Sequence, residues 1–510
     1  MAGDDIQVIR GGRVLDAAQR TAAPADILLA GDTIREIGPP GMPAPAGARL
    51  VDATDRILIP GLINAHTHAH GNLGKGLGDR WNLELLLNAG PWISGRRTTE
   101  DKYLSALIGA VEMLQKGCTA CYDLFVEFPL PSLEGMTALG RAYQDAGMRA
   151  VVAPMMADRS IYQAIPGMLE ALPESLRDEV VRIVYRSGDE NLAACRELLQ
   201  RWPFDRDRVR PAVAPTIPLH CADDFMVKAA ALAREYDVGY HTHVGESKTQ
   251  AVTGLRKYGR TLTAHLDALG VLGPNFVAAH AVWLDDDDIK RMADHGAAVA
   301  HNPGSNMRLG SGIAAVGKMR AAQLTVGVGT DGANCADNQN MFEAMRLASF
   351  ASKVRGPDLE AWLTTDQALA MATEGSARAL GFAGRLGRLA PGYLADIVFL
   401  DRRHVNWMPL NDVVNQLVHT EDGSAVDKVM VGGRTVVEGG RCVAVNLARL
   451  SDQAAEAAER LRSVNAESRR LALALEPAMS AFCLGLARQP YHIHHYGGPP
   501  DIDVVGPHRH

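Results

Sequence analysis

Residues 61–72 read GLINAHTHAHGN, placing His66, His68 and His70 at alternate positions directly behind the apolar run RILIPGLIN. On an extended strand, positions i and i+2 face the same side, so His66 and His68 present two imidazoles to one point. That geometry suits a metal ion. Gly71 marks a turn, which leaves His70 outside the pair. Further along, YHTHVGES puts His241 and His243 on one strand face with Glu246 three residues after the second, AAHAVW ends a strand in His280, and VGVGTDGAN ends another at Asp331. A lone buried histidine is ordinarily a hydrogen-bonded core residue. Three neutral nitrogens and one carboxylate at strand ends make a site for Zn²⁺ or Fe²⁺ that keeps a position for water.

The elements that must position these groups can be read from periodicity. Between residues 61 and 385, eight β-rich runs alternate with amphipathic helical text: ILIPGLINAHTH, TACYDLF, RAVVAPMMA, VRPAVAP, VGYHTHV, FVAAHAV, AAVAHNP and TVGVGTDG. This is the pattern of an α/β fold of the TIM-like (β/α)₈ barrel type, whose chemistry sits at the C-terminal strand ends. Residues 1–60 carry short β runs between turn signals, which predict a small antiparallel sheet. Similar text returns at 386–445, so both chain ends are expected to build one composite β-sandwich domain. From 446 to 510 we expect a long amphipathic helix stopped near Pro477, then a histidine-rich, solvated arm.

Composition bounds the partners. The 510 residues are 47% hydrophobic and 22% charged, with a formal net charge of −7 and no basic stripe, which excludes nucleic acid and anionic membrane as expected partners. No run of consecutive apolar residues approaches the length of a membrane span. The scattered, odd set of seven cysteines is no disulfide framework, and MAGDDIQVIRGG is no leader, so the expected location is cytoplasmic. The pair Cys118 and Cys121 lies in a strand run and reads as packing. The Asp285–Asp288 run reads as a helix start, where acids favour the dipole.

With these residues in view, the chain resembles the amidohydrolase superfamily, in its branch of metal-dependent deaminases and chlorohydrolases. The matching motifs are PGLINAHTHAH, HTHVGES, AHAVWL, AHNPGSNMRLGSG and GVGTDGANCADNQNMFEAMRLA. The resemblance implies that His66, His68, His243 and Asp331 hold one divalent metal, Zn²⁺ or Fe²⁺, that Glu246 shuttles protons, and that His280 stands beside the metal-bound water. Spacing to the glutamate favours His243 over His241. Binuclear relatives carry a lysine after the fourth strand; VRPAVAPTIPLH has none, which implies a mononuclear site. Chemistry agrees with these roles: a metal lowers the pKa of water toward ~7, Glu246 can accept and return a proton, Asp331 can also hold the water in line, and His280 can polarise the reacting centre.

The expected activity is hydrolytic deamination of an N-heterocycle of aminopurine, pterin, pyrimidine or triazine type. Alternatives are a chlorohydrolase, an amide or urea hydrolase, and a metal-binding scaffold without catalysis. Relatives acting on adenosine derivatives carry a pattern like APHAPY where this chain has Thr216 and Leu219, a departure that weakens that substrate class. Glu84 and Asn306 are candidate substrate contacts, with an exposed helix residue and a loop-closing amide as the alternatives. Trp92 and Trp283 could stack on a planar ligand or fill core. The resemblance implies a homodimer or homotetramer.

Overall fold

Alanine- and valine-rich segments form eight parallel strands in the computed structural model, which describes residues 6–496. The first four are Leu62–Thr67, Cys118–Val126, Arg149–Met156 and an interrupted fourth, Val209–Pro211 with Ala214–Pro215. The fifth to eighth are Tyr240–Val244, Phe276–His280, Ala298–His301 and Thr325–Val328. Prolines 211 and 215 offer no N–H to a ladder, which explains the broken fourth strand. A parallel bridge from Val213 to Tyr240 joins the two halves. The far edge closes where the Asp331 amide donates to the His66 carbonyl at 2.9 Å. Gly329 permits this approach, since a Cβ there would lie 2.8 Å from the His66 backbone N and O. The result is a (β/α)₈ barrel.

Two sheets stand beside it. One orders Thr33–Gly38, Asp26–Ala30, Ile6–Arg10 and Arg49–Asp52. The other mixes both chain ends, because Arg56–Pro60 pairs antiparallel with Ile397–Asp401. The expected purely antiparallel arrangement is corrected: Ile6–Arg10 runs parallel to Arg49–Asp52, and Arg13–Asp16 parallel to Arg56–Pro60, as the loops between them cross the sheet rather than form tight hairpins. Ile9, Ile27, Leu29, Leu58, Ile397 and Phe399 fill a shared core. Arg149, at the base of the third barrel strand and fully buried, donates to Asp396 at 3.0 and 3.1 Å, and Asp396 also accepts the Gly432 amide at 2.8 Å. Removing one member would strand a buried charge, so this pair fastens barrel to sheets.

The C-terminal segment departs from its expected form. The helix breaks at Asn465 into Leu447–Val464 and Ala466–Ala487, and Pro477 lies inside the second rather than ending it. Pro477 is on the exposed face, so water can satisfy the carbonyl it leaves unbonded. Ala466–Ala487 is also long and apolar enough to cross a membrane by length and composition, which counting unbroken apolar runs passes over. One face, with Leu475, Met479, Cys483 and Leu486, is buried against Leu85, Ile161, Met168 and Val252.

Finally, the arm is docked rather than solvated over its described part; residues 497–510 lie outside the described residues. Tyr491, His495 and Tyr496 set their rings edge-on to Trp283 at 6.0, 5.5 and 5.2 Å. His495 Nε2 donates to the Leu284 carbonyl at 3.2 Å, its Nδ1 accepts from Arg355 at 2.8 Å, and its carbonyl accepts the Ile313 amide at 2.5 Å. Gly312 is required here, with φ +120° and a would-be Cβ 2.7 Å from that carbonyl. Burial, then the Arg355 charge, lowers the His495 pKa to about 4.

The docked state therefore binds fewer protons than a released arm between the ordinary histidine pKa of 6.5 and about 4. Docking is full above that window and weakens as pH falls through it. We expect the protection factor of the Ile313 amide, with its exchange corrected for the intrinsic pH dependence of amide exchange, to fall on acidification from pH 7 to 5, and His495→Gln to flatten the dependence. Equal pH profiles in parent and variant would contradict this assignment.

Candidate active site

Each strand end delivers its side chain with a fixed ring orientation. His68 Nδ1–H donates to the Leu124 carbonyl on the second strand at 2.6 Å, and His243 Nδ1–H donates to the Thr216 carbonyl after the fourth, also at 2.6 Å. These bonds set both tautomers and leave each Nε2 a bare lone pair. The two Nε2 atoms nevertheless face each other at 3.2 Å. Asp331 Oδ1 lies 3.2 Å from His68 Nε2 and 3.5 Å from His66 Nε2. Both His66 nitrogens are buried without a hydrogen bond.

Two lone pairs at that distance repel unless a cation lies between them. Metal–nitrogen bonds of ~2.0–2.1 Å place neighbouring ligand atoms ~3.0–3.4 Å apart, the spacing seen here. The donor set of three imidazoles and one carboxylate thus fits a divalent ion. His66, His68 and Asp331 form one compact group of candidate ligands, while His66 and His243 form another with His280.

Electrostatics match this donor chemistry. Burial lowers the His66 pKa to about 3, against the raising influence of Asp331. Burial and the neighbouring imidazoles hold His243 neutral as well. For Asp331, burial opposes ionisation, yet His66, His280 and His68 hold it well below the usual carboxylate range. Neutral histidines facing an ionised aspartate are the protonation states a metal needs.

A second layer faces the same centre. His280 Nε2 lies 3.6 Å from Glu246 Oε2 and 3.7 Å from Asp331 Oδ2, and the three form a compact buried group. His280 Nδ1–H donates to Asn306 Oδ1 at 2.9 Å, so Asn306 sets its tautomer. His280 and Asp331 both sit in the left-handed region, at φ +67° and +63°, local strain of about 1–3 kcal/mol each that surrounding contacts sustain. Burial, then the charges of Asp331 and Glu84, pushes Glu246 well above the ordinary carboxylic range. Such a group is suited to exchange protons.

The other candidates fall on both sides of this geometry. Glu84 is not an exposed helix residue: it is 2% exposed, and Ser247 Oγ donates to it at 2.6 Å. Asn306 touches His280 and keeps its Nδ2 buried without a partner. His70 lies beside His68, the rings tilted by 39° with centroids 4.9 Å apart, outside the ligand cluster. His241 turns to Tyr122, with 4.5 Å between ring centroids, and joins none of the metal-binding groups. Trp283 is buried filler whose indole N–H binds the Ser311 carbonyl at 2.8 Å, while Trp92 packs edge-on against Trp81. Cys118 and Cys121 are buried free thiols. Asp285 caps helix Asp286–Asp294 in a capping box with Asp288. Reading the sequence missed the carbonyls of Leu124 and Thr216, because a backbone acceptor leaves no residue-type signal, and missed Ser247 beside Glu246.

The amidohydrolase family model matches residues 57–436. The 5'-deoxyadenosine deaminase of Methanothermobacter thermautotrophicus is 33% identical over 436 residues, 85% of this chain and 93% of that protein. The 5-methylthioadenosine/S-adenosylhomocysteine deaminase of Syntrophomonas wolfei is 33% identical over 408 residues, 79% of this chain and 87% of its own. Among solved structures, an adenosine deaminase from Xanthomonas campestris with bound zinc superposes with a TM-score of 0.79 at 26% identity, covering 90% of this chain and 98% of that one. An atrazine chlorohydrolase from Arthrobacter aurescens TC1 complexed with zinc gives a TM-score of 0.79 at 27% identity over 88% of this chain and 99% of that one.

Proposed function

This chain belongs to the amidohydrolase family and is a hydrolase acting on carbon–nitrogen bonds, and from that premise we propose that it deaminates an aminopurine nucleoside at a single zinc ion. One observation carries the reading: the buried group of Glu246, His280 and Asp331 shares Asp331 with His66 and His68, and His280 with His66 and His243, so the proton-carrying residues adjoin the candidate ligands. His66, His68, His243 and Asp331 would hold the ion. Zinc over iron draws support from the zinc-containing structural relatives.

When bound, the metal supplies a Lewis acid that makes water acidic enough to ionise near neutral pH. The chain's own residues do the rest. Glu246 takes a proton from the attacking water and delivers it to the ring nitrogen beside the amino-bearing carbon. As the carbon–nitrogen bond breaks, a second proton passes to the departing amine, so that amine and water become ammonia and a carbonyl on the ring. His280, its Nδ1–H committed to Asn306, offers Nε2 toward Glu246 and steadies the proton in transit. Thr216 acts through its carbonyl to orient His243. That backbone role is compatible with the departure from the APHAPY pattern at Thr216 and Leu219. Glu84, buried beside Ser247, is proposed to accept a substrate hydroxyl, and Asn306 Nδ2 to donate to the heterocycle.

A second reading keeps the same machinery with chloride as leaving group, favoured by the atrazine chlorohydrolase likeness. We also place the protein in the cytoplasm, in keeping with seven buried free thiols, and as a homodimer or homotetramer, with Leu473 and Leu484 exposed on the C-terminal helix. Ammonia release from 5′-substituted adenosines, other aminopurines, pterins, aminopyrimidines and aminotriazines tests the reading. We expect turnover of an adenosine derivative that chelation abolishes and zinc restores. Chloride release from a chlorotriazine with no ammonia from any amine would instead establish the second reading.

A further inference from the structure

Asp331 occupies a left-handed backbone conformation at φ +63°, and a fully buried side chain eight residues later accounts for how it is held there. Gln339 Nε2 donates to the Asp331 carbonyl at 2.8 Å. Its Oε1 accepts the hydroxyls of Thr67, at 2.6 Å, and Thr330, at 2.9 Å. Thr67 stands between His66 and His68, and Thr330 precedes Asp331. Asn64 completes the network: its Nδ2 donates to Thr330 Oγ1 at 2.7 Å, and its Oδ1 accepts the amides of Thr330 at 3.0 Å and His66 at 3.3 Å. A single amide therefore bridges the first strand to the end of the eighth, behind three of the four groups that would hold the metal.

We infer that Gln339 is a positioning residue that sets the Asp331 carboxylate against His66 and His68 by fixing its backbone carbonyl. Each threonine hydroxyl carries one proton, and the shorter of its two acceptor distances is to Gln339 rather than to the Asp331 carbonyl, which lies 3.1 Å from Thr67 and 3.2 Å from Thr330. With both hydroxyl protons directed to Oε1, the amide N–H is the donor left for that carbonyl. The backbone N–H of Gln339 donates to Glu112 Oε1 at 3.1 Å, which holds the residue in register from the helix side. Partners behind metal ligands commonly change metal affinity about 10- to 100-fold when removed.

This inference rests on the proposed ligand role of Asp331, but its test does not depend on the substrate. Zinc affinity is measured by competition with a chromophoric chelator for the parent, Gln339→Met and Gln339→Asn, alongside the melting temperature of each metal-stripped protein. Methionine fills the space without polar atoms; asparagine keeps the amide but withdraws it by one methylene, so it serves if the first variant does not fold. We expect both to bind zinc about tenfold to a hundredfold more weakly, with a loss of melting temperature that is larger for the zinc-loaded than for the metal-stripped protein. Zinc affinity within about twofold of the parent in a folded variant, with melting lowered equally in both forms, would reduce Gln339 to core packing and overturn the inference. A parent that binds no zinc would overturn the ligand reading and this inference together.

Discussion

Glu246→Gln should lower kcat roughly a thousandfold while leaving one equivalent of metal in place. The amide keeps the size of the side chain and its neighbours but cannot take a proton from water and return it. Glu246 lies in a group with His280 and Asp331, yet is not among the compact cluster of His66, His68 and Asp331, so metal content should hold. Stability should be equal to the parent or higher. Burial and the nearby charges of Asp331 and Glu84 disfavour the Glu246 carboxylate, and an amide escapes that penalty. Rates, metal analysis and a melting curve on the same preparation check the prediction. Turnover near that of the parent would remove Glu246 from the proton path.

Asp331→Asn should weaken metal binding by on the order of a hundredfold or more and abolish turnover at limiting zinc. The substitution is chosen for its backbone. Asparagine tolerates the left-handed region about as well as aspartate, and its amide oxygen can still accept the Gly332 N–H that Asp331 Oδ1 accepts at 2.8 Å. The protein should therefore fold, and the loss should trace to the missing negative charge between His66 and His68. Turnover should recover in part at high zinc concentration. Unchanged metal stoichiometry and affinity would count against Asp331 as a ligand.

Much of this site was readable from residue types because its chemistry needs rare side chains in regular places. Two histidines at i and i+2 on a strand, a glutamate three residues after a third histidine and an aspartate at a strand end are fixed by the barrel's parallel geometry, which brings all strand ends to one rim. The barrel was legible for a related reason: eight short apolar runs separated by helical text admit few other closed arrangements. Glu84 and Asn306 could be named but not placed, since nothing local says whether a helix glutamate faces water or a buried serine.

What stayed hidden depends on long-range pairing. The tautomers of His68 and His243 are set by carbonyls 56 and 27 residues away. Gln339 sits in a polar loop where its neighbours Asp337, Asn338 and Asn340 look equivalent, and only its long-range bonds to Asp331, Thr67 and Thr330 single it out. Pro477 reads as a helix stop unless the exposed face that tolerates it is known. The histidines of the arm suggested a solvated tail because composition does not reveal that Trp283 and Arg355 await His495.

The central claim is that this site replaces an amine with solvent oxygen in a metal-dependent step, and turnover in heavy-oxygen water tests it most directly. The protein is stripped of metal, reconstituted with one equivalent of zinc, and given the best aminopurine nucleoside of the panel. Each turnover should release one ammonia and leave one solvent-derived oxygen in the product, both absent before zinc is restored. Product that keeps its amine, oxygen drawn from elsewhere, or equal turnover in the stripped protein would contradict it.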